Sequence, residues 1–312
     1  MAYESNPGVN ASGWANLFTE VPSQEAVFVT LHNTLTEGVP DYRKNNTWEN
    51  GIRPYNARGG GGKTPSAMLV DMFPMSDGKI PATCETYNTL TKSDIPYYRE
   101  FPFVDRDPRF YRTFAFPGVR WSFVGTQGNR YPHNGPDYEL WNYTWYTDAA
   151  YVDDIEANSS VTYGADGLLN DVKGFYVRKR SDDRDVNAIA RYVYDEKSGG
   201  FTRSAAPYME IRYAEVLLNY AEAACNAGEM GVAVDQLQKI RARVGYKAEN
   251  NYGLEAGLDG DQAKCMAAIM YERQIELAYE GKRFDDMRRW MLFDGGIELP
   301  EGAPATWKLT GW

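Results

Sequence analysis

Residues 207–293 form a helix-rich block whose apolar side chains recur at alternating steps of three and four, and this block most constrains how the 312-residue chain folds. Pro207 at a helix start and Gly228 at a left-handed helix end delimit the first predicted helix. Two of its three stripes are apolar: Ile211, Ala214, Leu218, Ala221 and Cys225, and Tyr213, Leu217, Tyr220, Ala224 and Ala227. The two apolar stripes predict that about two thirds of the circumference of this helix is buried, as expected for a helix packed between neighbouring elements.

A second predicted helix begins near Met230 and ends at Gly245, so residues 207–245 form a helical hairpin. The hairpin has the spacing of a tetratricopeptide unit, with matches at Leu217, Ala221, Ala224, Ala233 and Leu237. Units of this kind are stabilised by stacking on their neighbours, which predicts that part of the scaffold lies outside these residues.

A third helix is predicted from about residue 261 to 280, and it has no wholly polar stripe. Its Glu272 and Glu276 are four residues apart, as a catalytic or metal-binding pair on one helix face would be. The preferred interpretation is structural, because buried carboxylates need counter-ions and neither histidine of the chain lies near them. The expected counter-ions are Arg283, Arg288 and Arg289.

Six segments identify a family. RYAEVLLNYAEA, ERQIELAYEGKRFDDMRRW, GFYVRK, VDRDPRF, EAVF and GGGGKTPSAMLVDMFPMSDGKIP, spread over residues 25–293, closely resemble the SusD/RagB family of nutrient-binding outer-membrane lipoproteins. The resemblance implies a mainly α fold, an α/α superhelix of tetratricopeptide-type helix pairs with a large irregular, loop-rich portion and short strands.

The resemblance also implies a binding function without catalysis, and the residues predict no cofactor and no metal site. Such a protein captures oligosaccharide or polysaccharide at the surface of a Bacteroidetes-type bacterium and passes it to a SusC-like TonB-dependent transporter. The expected location of the parent protein is the outer membrane, reached only through a lipid anchor on an N-terminal segment.

Within one SusD-like domain, we expect three parts. Residues 1–206 form the aromatic-rich binding portion, residues 207–293 the helical scaffold with family-type helices at 261–293, and residues 294–312 the start of a C-terminal loop region. The chain begins without a basic and apolar signal segment or a lipidation cysteine and stops at KLTGW, so we expect an interior fragment, incomplete at both ends.

Charge and cysteine content exclude some classes. The net charge of −10, from 33 basic and 43 acidic residues, disfavours nucleic acid as a partner. Three scattered cysteines predict neither a disulfide framework nor a zinc site: Cys225 and Cys265 are expected in the helical core and Cys84 in a loop.

Aromatic residues make up 14% of the chain, and aromatic rings can stack on sugars while polar neighbours bind the hydroxyls. In the loop at 39–55, we expect the glycan to contact Tyr42, Asn46, Trp48, Asn50, Arg53 and Tyr55, with Trp48 as the anchor. A second aromatic segment, 121–151, places Trp141, Tyr143 and Trp145 on one side of a possible strand, where they either contact the glycan or cover the core.

Several alternatives stay open. Many acidic residues could supply the two carboxylates of a glycoside hydrolase. Residues 57–64 approach a phosphate-binding loop, but no apolar strand precedes them and Pro65 follows. Acidic groups at Asp153, Asp154 and Glu156 and at Asp182, Asp183 and Asp185 lack the spacing of a calcium loop and are expected to be solvated.

Local patterns predict further elements. A short helix is expected at 66–72 and a strand at 175–180. The run DRDPRF is expected to be structural, with Pro108 fixing a turn, Asp107 capping it and Arg109 holding neighbouring loops.

Overall fold

The computed structural model describes residues 14, 17–18, 23–32, 47–53, 60, 63–99, 102–116, 175–181, 206–290 and 292, and the backbone alone of 192–195 and 200–204. Long helices occupy the C-terminal part, whereas the earlier described segments contain short helices, short strands and turns. The predicted combination of a helical scaffold with an irregular portion is therefore confirmed.

The element bounds are as follows. The helices are α1 Trp48–Ile52, α2 Ala67–Met72, α3 Pro108–Thr113, α4 Tyr213–Asn226, α5 Met230–Ala242, α6 Gln262–Glu276 and α7 Arg283–Arg289. The strands are β1 Ala26–Thr30, β2 Phe114–Ala115, β3 Tyr176–Val177, β4 Tyr192–Asp195, β5 Gly200–Ser204 and β6 Tyr208–Arg212. They form three antiparallel pairs, β1 with β6, β2 with β3 and β4 with β5.

The helical hairpin is present as α4 and α5, which pack against each other and against α6. Gly228 follows α4 with φ +85° and Gly245 follows α5 with φ +107°, so both predicted helix ends are confirmed. The largest buried apolar core joins this bundle to α2, α3 and the β2–β3 pair.

The start of the first helix was wrong, because residues 208–212 are a strand and α4 begins at Tyr213. In the register of the pair, Ala26 lies opposite Arg212 and Thr30 opposite Tyr208. The Tyr213 amide donates to the Glu25 carbonyl at 2.8 Å. Strand β1, about 180 residues earlier in the chain, thus satisfies this backbone, and local periodicity cannot reveal such a partner.

The predicted burial of α4 was also too wide. Tyr213 and Tyr220 are each 52% exposed and Ile211, in the strand before the helix, is 39% exposed. The buried apolar positions of α4 are Ala214, Leu217, Leu218, Ala221, Ala224 and Cys225. In the described structure α4 therefore buries one broad face and leaves its tyrosines accessible.

The two glutamates of α6 are fully buried and accept from arginines that come from four different elements or loops. Arg109 Nη1 lies 2.6 Å from Glu272 Oε1 and 2.9 Å from Glu276 Oε2. Arg241 Nε donates to Glu272 Oε2 at 2.8 Å, while Arg212 Nη1 donates to Glu276 Oε1 at 2.7 Å. The functional interpretation of this glutamate pair loses its basis, because the carboxylates are occupied by scaffold side chains.

The expected counter-ions were wrong. Neither Arg288 nor Arg289 of α7 contacts Glu272 or Glu276, and Arg289 instead pairs with Glu222 on α4 and with Asp286. Arg283 makes no ion pair with those two glutamates either. The prediction named the arginines that follow the two glutamates closely in sequence, whereas in the structure the counter-ions come from other segments of the chain.

Further ion pairs extend these contacts into what we call the buried ion network. Among the described residues it contains five acidic and five basic side chains: Glu25, Asp107, Glu272, Glu276, Glu280, Arg109, Lys179, Arg212, Arg241 and Arg243. Formal charge within it is balanced, which is the condition under which buried charges are tolerated.

The DRDPRF run belongs to this network, and its predicted structural role is confirmed. Asp107 caps α3 by accepting from the Arg109 amide at 2.7 Å, and Pro108 occupies the first helical turn. Of the strand predicted at 175–180, only β3 forms a strand, and the chain turns at residues 179–180, where Arg180 has a left-handed φ of +63°.

The short helix predicted at 66–72 is confirmed as α2, with Ser66 as its N-cap. Cys225 and Cys265 are buried in the helical core and Cys84 is buried in a loop, as free thiols. Throughout the described residues, no helix has both the length and the apolar composition needed to cross a membrane.

Candidate ligand-binding site

A cavity of about 290 Å³ opens between α1, the β1–β6 pair and the turn after β3. Its lining residues are Thr30, His32, Thr47, Trp48, Glu49, Lys63, Arg180, Ala206, Pro207, Tyr208 and Glu210. Its volume lies near the lower limit of small-molecule pockets, which occupy roughly 300 to 1,000 Å³.

Two aromatic side chains of the cavity are fixed to the scaffold by hydrogen bonds. Trp48 begins α1, and its Nε1 donates to the Lys179 carbonyl at 2.9 Å. The Tyr208 hydroxyl donates to the Glu280 carbonyl at 3.0 Å. Because Lys179 and Glu280 belong to the buried ion network, the network holds both aromatic walls.

Strand β6 provides the polar wall through its alternation. Tyr208 and Glu210 line the cavity, whereas Met209 between them is 6% exposed and packs in the core. The Thr30 hydroxyl of β1 donates to Glu210 Oε1 at 2.8 Å across the strand pair. His32 Nδ1 donates to the Ala206 carbonyl at 3.0 Å, because a carbonyl can only accept.

Glu49 lies at the base of the cavity and is engaged by its neighbours. Arg53, four residues later, pairs with it through Nε, and the Ser181 hydroxyl donates to Glu49 Oε1 at 2.8 Å. Arg53 itself is completely buried. This carboxylate is therefore compensated in charge and fixed in orientation.

Two cations flank the tryptophan ring. The Arg180 guanidinium carbon lies 3.8 Å from the centroid of Trp48 and 4.8 Å from that of Tyr208, so the side chain is held between two rings. The Lys63 ammonium lies 5.3 Å from the centroid of Trp48. Burial lowers the pKa of Arg180, which is only partly opposed by Tyr208, Glu280 and Glu210.

The residues predicted from the first aromatic loop separate into different environments. Trp48 lines the cavity, Arg53 supports it from below through Glu49, and Asn50 is not among the lining residues. The remaining predicted contacts, Tyr42, Asn46, Tyr55, Trp141, Tyr143 and Trp145, lie outside the described residues. Their role in ligand binding stays a prediction.

Other lining residues were missed by the sequence analysis. Tyr208 and Glu210 were assigned to a helix, and Arg180 was noted only as the end of a predicted strand. The alternation of Tyr208, Glu210 and Arg212 with Met209 and Ile211 is the period-two signal that would have indicated a strand with one polar side.

The phosphate-loop alternative does not fit the described geometry. The Gly60 amide donates to the Asn50 carbonyl and the Lys63 amide to the Gly51 carbonyl, each at 2.8 Å. These N–H groups point at α1, whereas a phosphate loop directs its amides at the ligand.

No metal site is found within the described ranges, where no three His, Cys, Asp or Glu side chains are grouped to hold an ion. The two acidic groups considered for calcium, at residues 153–156 and 182–185, fall outside those ranges.

Comparisons with known proteins, by sequence and by structure, find SusD-like proteins. The sequence profile of the SusD family matches residues 24–309. A SusD-like protein P2 from Formosa agariphila is 38% identical over 110 residues, which are 33% of this chain and 21% of that protein. The crystal structure of a SusD-like protein from Bacteroides fragilis superposes with a TM-score of 0.56 at 25% identity and covers 93% of this chain and 48% of its own. The chain thus spans about half the length of that solved structure and a fifth of the curated relative.

Proposed function

The chain belongs to the SusD family, and from that membership we propose that it captures a glycan at a bacterial cell surface without transforming it. The proposal includes delivery of the glycan to a SusC-like TonB-dependent transporter and a lipid-anchored parent protein in the outer membrane. Family membership supports these two points, and the cavity supports the binding step.

The observation that carries the proposal is that Trp48, the anchor expected from the sequence, lines a cavity that also contains Tyr208 and several hydrogen-bonding groups. Sugars present apolar ring faces and hydroxyl edges, so a site for them combines aromatic rings with donors and acceptors. Here Thr30, Glu210 and Lys63 supply the polar groups beside the rings. We infer that one end or one branch of the glycan enters this cavity.

Both aromatic walls are held before any ligand arrives. Trp48 and Tyr208 each donate to a scaffold carbonyl, at 2.9 and 3.0 Å. Preformed rings lose little conformational freedom on binding, and this favours affinity from a small contact area. Arg180 and the exposed Lys63 side chain already lie beside the Trp48 ring, so a sugar that stacks on this ring displaces or reorients the exposed lysine.

The proposed lack of catalysis agrees with the hydrogen bonds and ion pairs of the carboxylates that line the cavity. A glycoside hydrolase needs one carboxyl group to donate a proton and another to act as base or nucleophile. In the cavity Glu49 is held by Arg53 and Ser181, and Glu210 accepts from Thr30. Release of reducing ends from a bound glycan would contradict the proposal and favour the hydrolase.

The test is calorimetric titration of glycans into the wild-type protein and into Trp48→Ala. Loss of an anchoring aromatic ring is expected to weaken binding by about 1 to 3 kcal/mol, which is roughly 5- to 150-fold in Kd. Tyr220→Ala is the matched control, because Tyr220 is 52% exposed on α4 and does not line the cavity. It should leave the affinity unchanged.

Trp48 also packs on the core, so Trp48→Leu is included to preserve volume if the alanine variant unfolds. A folded Trp48 variant with wild-type affinity would place the glycan elsewhere on the protein.

A further inference from the structure

Arg180 lines the cavity, and in the described structure its charge is poorly compensated. Its Nε is buried and has no hydrogen-bond partner among the described residues. Within the same residues, no carboxylate lies within ion-pair distance of its guanidinium. A partly buried charge without a partner is unfavourable, so a ligand that pairs with it is favoured.

The buried ion network shows how this fold treats other internal arginines. Arg109, Arg212 and Arg241 each donate to at least one carboxylate at 2.6–3.2 Å. Arg180 instead stacks between two rings, which hold its guanidinium plane but accept none of its in-plane N–H groups as a carboxylate would. Arg106, which is also buried, has no carboxylate partner in the described part of the chain but donates to backbone carbonyls, whereas Arg180 Nε has no acceptor there and faces a cavity that a ligand can enter.

The backbone supports the same conclusion. Arg180 is a non-glycine residue at φ +63°, a left-handed conformation that residues with a side chain disfavour. Residues are held in this region where the surrounding structure determines them, often at ligand sites. The turn therefore aims a long cationic side chain into the cavity at some expense in stability.

The other charges lining the cavity leave room for an anion. Glu49 is compensated by Arg53, and Lys63 adds a second cation beside Trp48. Glu210 is the remaining carboxylate, and it accepts from the Thr30 hydroxyl at 2.8 Å on the β1–β6 side. An anionic sugar would direct its charged group to Arg180 and its hydroxyls to Glu210.

We propose that Arg180 binds the anionic group of an acidic glycan, a carboxylate of a uronic acid or a sulfate ester. The proposal rests on the function proposed above and specifies the ligand class. Both anions match the planar fork of N–H donors on a guanidinium, which forms paired, charge-assisted hydrogen bonds.

The experiment compares matched pairs of oligosaccharides on the wild-type protein: uronic acid oligomers with their carboxyl-reduced neutral forms, and sulfated oligomers with their desulfated forms. Within at least one pair, the acidic member should bind about tenfold more tightly or better, as expected for hydrogen bonds to a charged group. The pair that responds distinguishes carboxylate from sulfate. This preference should decrease when the salt concentration is raised from about 0.05 to 0.5 M.

Two variants connect the preference to the residue. Arg180→Gln should abolish the difference between acidic and neutral members, whereas Arg180→Lys should retain part of it. Arg288→Gln is the control, because Arg288 lies on α7 beside Phe284 and does not line the cavity.

Equal binding of acidic and neutral members would overturn the acidic-glycan proposal and leave the glycan-binding function standing. If no oligosaccharide binds, both the acidic-glycan proposal and the proposed glycan-binding function are overturned. An acidic preference that survives Arg180→Gln would assign the anion to another cation of the chain.

Discussion

Glu276→Gln tests whether the buried ion network holds the scaffold together. Glu276 is 0% exposed and accepts from Trp14 Nε1 at 3.0 Å and from Arg109, Arg212 and Arg243 at 2.7–2.9 Å. Glutamine has nearly the same shape, so the substitution removes charge with little change in volume. It leaves five cations facing four anions among the described residues of a largely buried network.

The expected loss follows from breaking a buried charge pair, which costs about 3 to 5 kcal/mol. This is a large part of the roughly 5 to 15 kcal/mol by which domains are stable, and it corresponds to a melting temperature roughly 10 °C lower. Urea unfolding followed by circular dichroism measures the free energy. Glu229→Gln, at an exposed position, is the matched control and should stay within about 0.5 kcal/mol of wild type.

The pH dependence supplies a second readout. Burial alone would raise the pKa of Glu276, but Arg212, Arg243, Arg109 and Lys179 together lower it well below its usual range. Since its pKa is lower in the folded state, the carboxylate stabilises the fold fully above its unfolded pKa and loses this effect as the pH falls toward the folded value. The gap between wild type and Glu276→Gln should therefore narrow below about pH 4.5. A loss under about 1 kcal/mol, or a gap independent of pH, would refute the assigned role of the network.

Two further predictions concern the scaffold. Gly253→Ala should lower the free energy of unfolding, measured in urea, by about 2 to 4 kcal/mol, because φ is +69° and a Cβ would lie 2.7 Å from the Asp77 carbonyl oxygen. The control Gly257→Ala, with φ +79° and open space around the Cβ, should lower it by only about 1 to 2 kcal/mol. Equal losses in the two variants would contradict this steric explanation. Burial lowers the pKa of Lys179 to about 8, against opposition from Glu280, so the unfolded state binds more protons between about pH 8 and 10.5. Wild type should therefore gain stability relative to Lys179→Met from pH 8 to 9.5, by at most about 1.4 kcal/mol per pH unit, and a constant difference would show that its pKa is not lowered.

The scaffold was predictable where local rules decide it. The α4–α5 hairpin, its terminal glycines and the cap at Asp107 all follow from signals within a few residues. The strand at 208–212 and the pairing of Glu272 with Arg109 were not predictable, because β1 and Arg109 lie more than 160 residues away. A period of three to four shows which side chains are apolar and contains no information about a distant partner strand.

Of the described residues that line the candidate site, the sequence analysis named only Trp48 as a ligand contact. Trp48 is conspicuous in a loop rich in polar residues, and it does line the cavity. Tyr208 and Arg180 reach the same cavity from segments about 130 to 160 residues further along the chain. Arg53, chosen for its hydrogen-bonding capacity, is buried instead, because a guanidinium near a carboxylate serves the interior as readily as a ligand.

The buried ion network and the cavity are connected through hydrogen bonds, so we expect a change in the network to alter ligand binding. Trp48 donates to the carbonyl of Lys179, and Tyr208 donates to the carbonyl of Glu280. The side chains of those two residues pair with each other at 2.6 Å inside the buried ion network. Arg180 follows Lys179 directly, so the two rings and the guanidinium beside them are all connected to the residues of this ion pair. Loss of the Lys179–Glu280 ion pair should therefore make both the scaffold and the cavity less rigid. Lys179→Met should reduce glycan affinity although Lys179 does not line the cavity.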